Sequence, residues 1–370
     1  MKLIDLNYHA SNEYTVPQQV ISDHWPSLGY IGVLKNRLAV EVIKHINYEG
    51  EIVKDGIVYR FFRSRNRFWY IPFRTHRYIR TQKPQMIIIQ GFVFPLQLIF
   101  LRLSVGNNCA ICLQHHGEQP FKGLKGMIQQ FADRFVTAYS FASKEMGKDW
   151  ISAGVISSGG KCFEVMGVST NFKREEKMLA RRKTGMKDNT SFLWVGRLNK
   201  NKDPLTVLMA FEKYLKLNAE AVLYMIYQDN DLEMEVMDFI KKNSIPENVV
   251  KLIGKIPHSD LVSWFSAADF YVSGSHREGS GYALIEAMAC GCIPVVTNIP
   301  SFVKITDGGN CGLLYEAGNP DSLLDALIKS KQLDLPSEVS KVLNQFKLNL
   351  SYEAYAGQVQ SMMEGLLPNK

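Results

Sequence analysis

The amino-acid sequence predicts an α/β protein with two domains, each built around a parallel β-sheet. Its 370 residues are too many for one small core, and a hydrophobic content of 46% is typical of a folded, globular chain. Short apolar and β-branched runs alternate with segments of helical composition in both halves, which is the pattern of βαβ units. The clearest unit covers residues 268–297, where two apolar runs flank a glycine-rich loop and a stretch of strong helix formers.

The first half of the chain is expected to alternate strands with helices. Asp55-Gly56 is a favourable hairpin turn, Met86–Ile89 has the composition of a buried strand, and Pro95 is suited to open a helix. In order, we predict a strand at Lys2–Asn7, a helix at Leu34–Ile46, a strand pair at Glu51–Phe62, and two parallel strands at Lys83–Gly91 and Cys109–Gly117.

The second half begins after a charge-dense segment, residues 173–188, which we interpret as an interdomain linker with a surface helix. Phe192–Pro204 has the pattern of a strand, a glycine turn and a helix start, with Pro204 at an early helical position. Val222–Tyr227 is predicted to be a strand. Residues 350–367 are amphipathic and predict a last helix.

Two glutamates in the unit at 268–297 have unequal surroundings. Glu278 is in the glycine-rich loop, whereas Glu286 falls among apolar helix residues and needs a partner there. The free N–H groups of the first helical turn, together with the helix dipole, favour an anion. One interpretation is a phosphate at the helix start, with both carboxylates accepting hydrogen bonds from sugar and ribose hydroxyls. The alternative is an ordinary loop, with Glu278 on the surface and Glu286 paired to a Lys or Arg.

These residues resemble a known family. Glutamates eight positions apart, followed by Ala287-Met-Ala-Cys-Gly-Cys-Ile-Pro-Val-Val, are similar to the signature of retaining glycosyltransferase family four (glycosyl transferases group 1). The resemblance implies the GT-B fold, in which two Rossmann-like domains with parallel sheets face a central cleft. We place an N-terminal, acceptor-side domain at 1–170, a linker at 171–188, a nucleotide-sugar-binding domain at 189–349, and a helix that crosses back to the first domain at 350–370.

The resemblance also implies roles for individual residues. Arg197 and Lys202 resemble the basic pair that holds the donor diphosphate, and His116-Gly117 resembles the His-Gly that meets the donor sugar. His116 also has an argument of its own, because it follows a parallel strand at the edge where α/β sheets bind ligands. The remaining implied contacts are the backbone of Ser280, Gly281 and Tyr282 on the diphosphate, Glu286 on the ribose, and Glu278 on hydroxyls of the donor sugar.

The implied activity is transfer of a sugar from a nucleotide-sugar, UDP- or GDP-linked, to a hydroxyl acceptor with retention of configuration and without a cofactor or metal. The acceptor would be a glycan or lipid-linked molecule of glycolipid, cell-surface polysaccharide or glycoconjugate synthesis. Tyr8–Pro17 lacks the paired glycines that the family usually has after its first strand, so a nucleotide-sugar-binding pseudoenzyme or regulatory protein is the alternative. Asp229-x-Asp231 leaves open a metal-dependent transferase, against a solvated turn.

The six cysteines lie in apolar runs without the spacing of a disulfide framework, so we expect reduced, buried thiols and a cytoplasmic protein. A zinc site at Cys109 and Cys112 with the adjacent histidines is disfavoured, because strand residues three apart point to opposite sides. Asp5, Asn7 and His9 interrupt the apolar core that a signal peptide would need.

The stretch Arg60–Arg80 has seven arginines interleaved with aromatic residues, and no acidic residue stands between Gly56 and Gly117. Such a mixture binds anionic membrane surfaces or, less often, single-stranded nucleic acid. We expect no nucleic acid, because no RNP-type or helix-turn-helix pattern is present. A packed amphipathic element with solvated arginines is the other interpretation. On the first interpretation, the protein would bind the inner face of a membrane. Its membrane or acceptor patch would include Arg63, Arg65, Arg67 and Trp69.

Overall fold

The structure, a computed structural model, describes residues 1–63, 68–228 and 231–367. These residues form two compact units: an N-terminal unit of Met1–Ser169 together with the segment from Tyr352, and a C-terminal unit of Thr170–Ser351. Each unit is built on one sheet of mainly parallel strands with helical connections. The predicted class, α/β with two parallel-sheet domains, is therefore confirmed.

The N-terminal unit contains a sheet of eight strands within the described residues, in the order β3-β4-β2-β1-β5-β6-β7-β8. All neighbouring strands are parallel except the hairpin of β3 and β4, which turns at Asp55-Gly56 as predicted. The strands are β1 (Lys2–Ser11), β2 (Ala39–Ile46), β3 (Gly50–Lys54), β4 (Ile57–Phe62), β5 (Met86–Gln90), β6 (Ala110–Gln114), β7 (Ala138–Phe141) and β8 (Cys162–Glu164). The helices are α1 (Pro17–Asp23), α2 (Trp25–Leu34), α3 (Phe73–Gln82), α4 (Pro95–Val105), α5 (Gly123–Ala132) and α6 (Gly147–Ser152).

The predicted helix at Leu34–Ile46 is wrong. Helix α2 ends at Leu34, and the following strand β2 lies between β1 and β4 with seven of its eight residues buried. Burial on both faces removes the alternation that usually identifies a strand. The polar residues Glu41, Lys44 and His45 are buried as well, and in the sequence they imitate the polar side of an amphipathic helix.

The C-terminal unit contains a parallel sheet, with six strands in the described ranges, in the order β11-β10-β9-β12-β13-β14. Its strands are β9 (Ser191–Gly196), β10 (Val222–Tyr227), β11 (Val250–Gly254), β12 (Phe270–Ser273), β13 (Ile293–Thr297) and β14 (Leu313–Tyr315). Its helices are α7 (Lys177–Thr184), α8 (Pro204–Leu215), α9 (Glu233–Lys242), α10 (Leu261–Ala267), α11 (Tyr282–Ala289), α12 (Pro300–Ile305), α13 (Pro320–Ser330) and α14 (Leu335–Gln345).

The charge-dense segment 173–188 is packed into the C-terminal unit through helix α7. Arg181 is 6% exposed and donates hydrogen bonds to the Ala267 carbonyl and to Asp269. Lys177 forms an ion pair with the same aspartate. The buried Asp269 carboxylate is paired with two cations and makes further hydrogen bonds, which compensate for its burial. These contacts hold helix α7 against the C-terminal unit.

The last helix, α15 (Tyr352–Leu366), belongs to the N-terminal unit. The Tyr355 ring stacks on Tyr30 with 4.1 Å between ring centroids. The Tyr352 hydroxyl donates to the carbonyl oxygens of Ser169, at 3.1 Å, and Trp25, at 3.2 Å. The chain therefore leaves the N-terminal unit after Ser169 and re-enters it at Tyr352, at neighbouring points. Across the described residues, no helix combines the length and the apolar composition that crossing a bilayer requires.

Candidate active site

Two loops at the carboxyl ends of β9 and β12 carry most of the predicted site residues. The first loop turns tightly: the Lys202 N–H donates to the side-chain oxygen of Asn199 at 3.0 Å, and Asp203 has a left-handed backbone with φ of 41° while it caps helix α8. This turn directs Lys202 into a partly buried position, whereas Arg197, at the start of the loop, is exposed.

The second loop, residues 274–281, is fastened to the first. The His276 N–H donates to the Asn201 carbonyl at 2.8 Å, and the Asn201 amide donates to the Arg277 carbonyl at 3.0 Å. Gly274 lies so close that an added Cβ would stand 2.7 Å from the Asp203 carbonyl oxygen. Adjacent parallel strands β9 and β12 bring the loops together, and glycine allows their backbones to touch.

Lys202 and Glu278 meet across the two loops as an ion pair between Nζ and Oε1. The side chains are 23% and 15% exposed, so solvent screens the pair less than it would screen a surface pair. The predicted diphosphate cation and the predicted sugar-binding carboxylate are thus adjacent. Their charges neutralise each other in this structure. A bound donor can take the place of either partner.

Glu286 is 2% exposed on helix α11, and its partner is His258. The distance between His258 Nε2 and Glu286 Oε1 is 2.6 Å. This hydrogen bond raises the pKa of His258 above its ordinary value, and the charge of Glu286 adds to the effect. The imidazole stacks between Phe172 and Tyr282, with centroid distances of 5.2 and 5.8 Å. The partner of Glu286 is therefore a histidine and not the Lys or Arg considered above.

His258 is a site residue that the sequence reasoning missed. It follows β11 in the run Gly254-Lys-Ile-Pro-His258, and a histidine after a strand at the ligand-binding edge was the available signal. Burial raises the pKa of Tyr271, and the charges of Glu278 and Glu286 raise it further. Both carboxylates therefore act on the pKa of the same buried phenol.

The amino end of helix α11 is shaped to receive an anion. Gly281, the residue before the helix, has a φ of 58°, and a Cβ there would stand 2.8 Å from the Phe302 ring. No side chain caps this end of α11 by a hydrogen bond, and the buried Ser280 hydroxyl oxygen has no hydrogen-bond partner among the described residues. First-turn N–H groups, a free hydroxyl and Lys202 nearby in the adjoining loop suit a phosphate group. Glu278 and Glu286 suit the hydroxyls of attached sugars.

In the N-terminal unit, His116 follows strand β6 and is exposed, as expected for a ligand-facing residue. Its backbone N–H donates to Glu118 Oε2 at 2.6 Å. His115 has a different environment: it is 3% exposed, packs against the rings of Phe92 and Phe141, and burial lowers its pKa. His115 is therefore a structural residue.

The predicted membrane or acceptor patch is described in part. Arg63 is exposed, and Trp69 is 62% exposed. Arg65 and Arg67 lie outside the described residues, as does Asp229 of the acidic pair considered for a metal. The buried cysteines are confirmed: Cys109 and Cys112 are 3% and 0% exposed, and burial raises the pKa of both thiols to about 12.

Comparison with known proteins finds similarity to a family in the C-terminal unit. Residues 176–343 match the model of the family described as glycosyl transferases group 1. A D-inositol 3-phosphate glycosyltransferase from Corynebacterium jeikeium is 26% identical over 196 residues, which are 51% of this chain and 47% of that protein. A GDP-mannose:cellobiosyl-diphosphopolyprenol alpha-mannosyltransferase from Xanthomonas oryzae is 26% identical over 136 residues, 36% of each chain. The chain thus spans at most about half the length of these relatives.

A solved structure is similar over nearly the whole chain. Anabaena Alr3699/HepE, determined in complex with UDP and glucose, has a TM-score of 0.71 at 14% identity and covers 98% of this chain and 99% of its own. A likeness at this identity shows the fold, which is the GT-B fold of two Rossmann-like domains. The fold implied by the sequence resemblance is therefore confirmed.

Proposed function

We propose that this protein is a retaining glycosyltransferase that uses a nucleotide-sugar donor and a hydroxyl acceptor, because residues 176–343 match the model of the glycosyl transferases group 1 family. The observation that carries the proposal is the convergence of Lys202, Glu278 and Glu286 around the uncapped amino end of helix α11. One cation, one helix amino end and two carboxylates match the two chemistries of such a donor, a diphosphate and its sugar hydroxyls.

Each group has a defined task in the proposed reaction. Lys202, Arg197 and the backbone at Ser280, Gly281 and Tyr282 hold the diphosphate, whose negative charge grows as it leaves, so fixed positive charge lowers the barrier. Glu286 accepts hydrogen bonds from the ribose in place of His258. Glu278 does the same for the transferred sugar, and we assign His116 to that sugar as well.

The bond that breaks joins the anomeric carbon to a phosphate oxygen of the donor. The bond that forms joins the same carbon to the acceptor oxygen, on the same face. The acceptor proton passes to the leaving phosphate oxygen, so the step needs no covalent nucleophile from the protein. Retention of configuration follows from attack and departure on one face.

The identity of the donor is proposed from the relatives. The Anabaena structure holds UDP and glucose, and the Xanthomonas relative is named for GDP-mannose and a diphosphopolyprenol acceptor. We therefore place this chain among enzymes that use UDP- or GDP-sugars to extend a glycan or lipid-linked acceptor at the cytoplasmic face of a membrane. Glycolipid or cell-surface polysaccharide synthesis is the corresponding process.

The first experiment is a thermal-shift screen of UDP-, GDP- and ADP-sugars, because a ligand that binds the folded state raises the melting temperature. One donor class should raise it in the wild type and in Lys200→Ala, an exposed lysine of the same turn, but not in Lys202→Ala. Absence of a shift with every donor class contradicts the proposal. Release of the nucleotide from the binding donor, even without acceptor, separates an enzyme from a donor-binding pseudoenzyme, which would bind without release.

A second proposal concerns attachment to a membrane. Helices α3, α4 and α5 pack side by side, and their outer face exposes large apolar side chains. We name these side chains, together with Trp69 in the turn before α3, the helical apolar surface, and its residues are Trp69, Phe73, Phe100, Leu103, Leu124, Met127 and Phe131, each between 38% and 67% exposed.

Charge favours an anionic lipid bilayer as the occupant of the helical apolar surface. Residues 57–132 contain eleven Lys and Arg residues, and Glu118 is their one acidic residue. Cations also lie beside aromatic rings of this region: Arg134 is 5.3 Å from the ring centroid of the exposed Phe131, and Lys125 is 5.0 Å from that of the half-buried Phe68. Apolar side chains that enter a bilayer while cations contact its headgroups are typical of peripheral membrane attachment.

Liposome sedimentation tests this attachment. Vesicles with anionic phospholipid should sediment the wild type more strongly than neutral vesicles do, and Leu103→Glu with Met127→Glu should abolish the difference. The matched control is Leu217→Glu with Met234→Glu, two residues of the C-terminal unit that are 58% and 77% exposed, and it should sediment like the wild type. Equal sedimentation of both double variants, or a wild type that self-associates without binding vesicles, contradicts the proposal.

A further inference from the structure

A buried chain of hydrogen bonds connects the first strand of the N-terminal unit with His116. The Tyr30 hydroxyl donates to Asp5 Oδ2 at 2.8 Å, and the Gln90 side-chain amide donates to the same oxygen at 2.6 Å. The amide oxygen of Gln90 then lies 2.7 Å from His116 Nε2. Asp5 is 0% exposed and Gln90 is 7% exposed, so the two hydrogen bonds to Asp5 are shielded from water, whereas the contact with the exposed His116 is partly buried.

The direction of each hydrogen bond follows from the chemistry of Asp5, at which the series of hydrogen bonds begins. A carboxylate oxygen accepts hydrogen bonds, so Gln90 turns its NH2 group toward Asp5. Its carbonyl oxygen, which is an acceptor, is left facing the imidazole. An acceptor can bond to a ring nitrogen only when that nitrogen holds a proton. Asp5 therefore determines the orientation of the Gln90 amide, and the amide determines where His116 holds its proton.

We propose that Asp5 and Gln90 are positioning residues that keep neutral His116 in the form protonated on Nε2, so that Nδ1 offers a lone pair to a hydroxyl of the bound sugar. The inference rests on the proposed function, because it specifies whether His116 donates or accepts the hydrogen bond to the donor sugar. In this form His116 accepts a hydrogen bond and does not donate one. It therefore selects a hydroxyl and rejects a group that can only accept, such as a phosphate oxygen.

The backbone of the loop that carries His116 is fixed independently of these side-chain hydrogen bonds. Glu118 accepts from the backbone N–H of His116 at 2.6 Å and from that of Phe92 at 3.2 Å. Loss of the Gln90 contact should therefore free the imidazole without releasing the loop, and the tautomer can be tested apart from the fold.

The chain offers a matched control for Gln90. Gln114 lies on the neighbouring strand, directly opposite Gln90 in the register of β5 and β6, and is 1% exposed. Its side chain accepts from the Ser140 hydroxyl at 2.8 Å, and no hydrogen bond to His116 is among its described contacts. Gln114→Leu thus removes a buried amide from the position opposite Gln90 in the sheet. It keeps the contact between His116 Nε2 and the Gln90 amide oxygen.

Nitrogen NMR of the full-length protein, labelled on histidine, reports the tautomer directly at pH about 8, where an imidazole is neutral. The His116 resonances are assigned by their loss in His116→Gln. We expect the Nε2-protonated pattern in the wild type and in Gln114→Leu, and a mixture of the two tautomers in Gln90→Leu. A wild-type His116 protonated on Nδ1, or the same single tautomer in Gln90→Leu, overturns the proposal.

A second variant keeps the test valid if Gln90→Leu does not fold. Gln90→Met is close to glutamine in length and volume and lacks the amide, so His116 should show the same mixture of tautomers as in Gln90→Leu. A single Nε2-protonated form in Gln90→Met contradicts the contact.

Turnover supplies the functional result. With the cognate donor, kcat/KM of Gln90→Leu should fall about tenfold, the loss expected for one hydrogen bond, and that of Gln114→Leu should not. Equal losses in the two variants overturn the positioning role. If the NMR patterns are as expected and no donor is turned over even by the wild type, the proposed function fails while the tautomer assignment stands.

Discussion

The ion pair between Lys202 and Glu278 allows a quantitative test of the proposed reaction. Glu278→Gln preserves the volume of the side chain and removes its charge, and Lys202→Ala removes the opposite charge. Both groups are largely shielded from solvent, at 15% and 23% exposure, so their interactions with a donor are charge-assisted hydrogen bonds in a partly dry site. Loss of one such contact from the transition state costs about 2–4 kcal/mol. The expected fall in kcat/KM is roughly 30- to 1,000-fold for each variant.

The measurement is steady-state turnover with the donor identified by the thermal-shift screen. Because the two side chains contact each other, the double variant should lose much less than the product of the two single losses. Lys200→Ala, an exposed neighbour on the same turn, should change kcat/KM less than about twofold. Melting temperatures of all variants separate lost chemistry from lost folding. Near-normal rates for Glu278→Gln and Lys202→Ala would refute the assignment of both residues.

Three further predictions concern the backbone, pH and metal. Gly274→Ala should destabilise the protein by about 1–3 kcal/mol, because its Cβ would stand 2.7 Å from the Asp203 carbonyl oxygen, whereas Gly357→Ala, with open space around it, should not; calorimetry compares them. The bond to Glu286 raises the pKa of His258, so its stabilisation is present below the unfolded-state pKa of about 6.5 and is lost as pH rises through the folded-state value. The melting temperature of the wild type should therefore exceed that of Glu286→Gln by more at pH about 5.5 than at pH about 8.5, and equal differences contradict this. Transfer should proceed unchanged in EDTA, since fixed cations and a helix end neutralise the diphosphate; activity lost in EDTA and restored by Mg²⁺ would show a metal-dependent enzyme.

Local sequence patterns predicted much of the fold. The strands and helix at 268–297, the hairpin turn at Asp55-Gly56 and the helix opened by Pro95 each depend on neighbouring residues, and all three are present. The strand Ala39–Ile46 was mistaken for helix because it lies inside the sheet, between β1 and β4, and is buried on both faces, so its sequence does not alternate. Burial of Glu41 depends on Lys2, 2.8 Å away, and no local pattern shows that contact.

Residues of the candidate site could be named from the sequence where they stand in motifs. Lys202 and Glu278 could be named because each stands in a recognisable loop, and the structure brings them together. His258 had only a weak signal, its place after a strand, and Gln90 and Asp5 had none, because each acts through a side chain that is distant in the sequence. The helical apolar surface was only partly visible, since its residues on α4 and α5 look like ordinary amphipathic helix residues until the packing of the three helices shows which of them face outward.

The position of helix α15 affects how the protein is made. A ribosome completes residues 170–351 while the first 169 residues still lack the helix whose Tyr355 covers Tyr30. The C-terminal unit is therefore available to fold before the N-terminal unit is complete, and the nascent N-terminal segment exposes apolar surface that a chaperone can bind. Since the Tyr352 hydroxyl donates to the Ser169 carbonyl, a gene that joins these two codons directly would encode the N-terminal unit with its last helix and without the insertion.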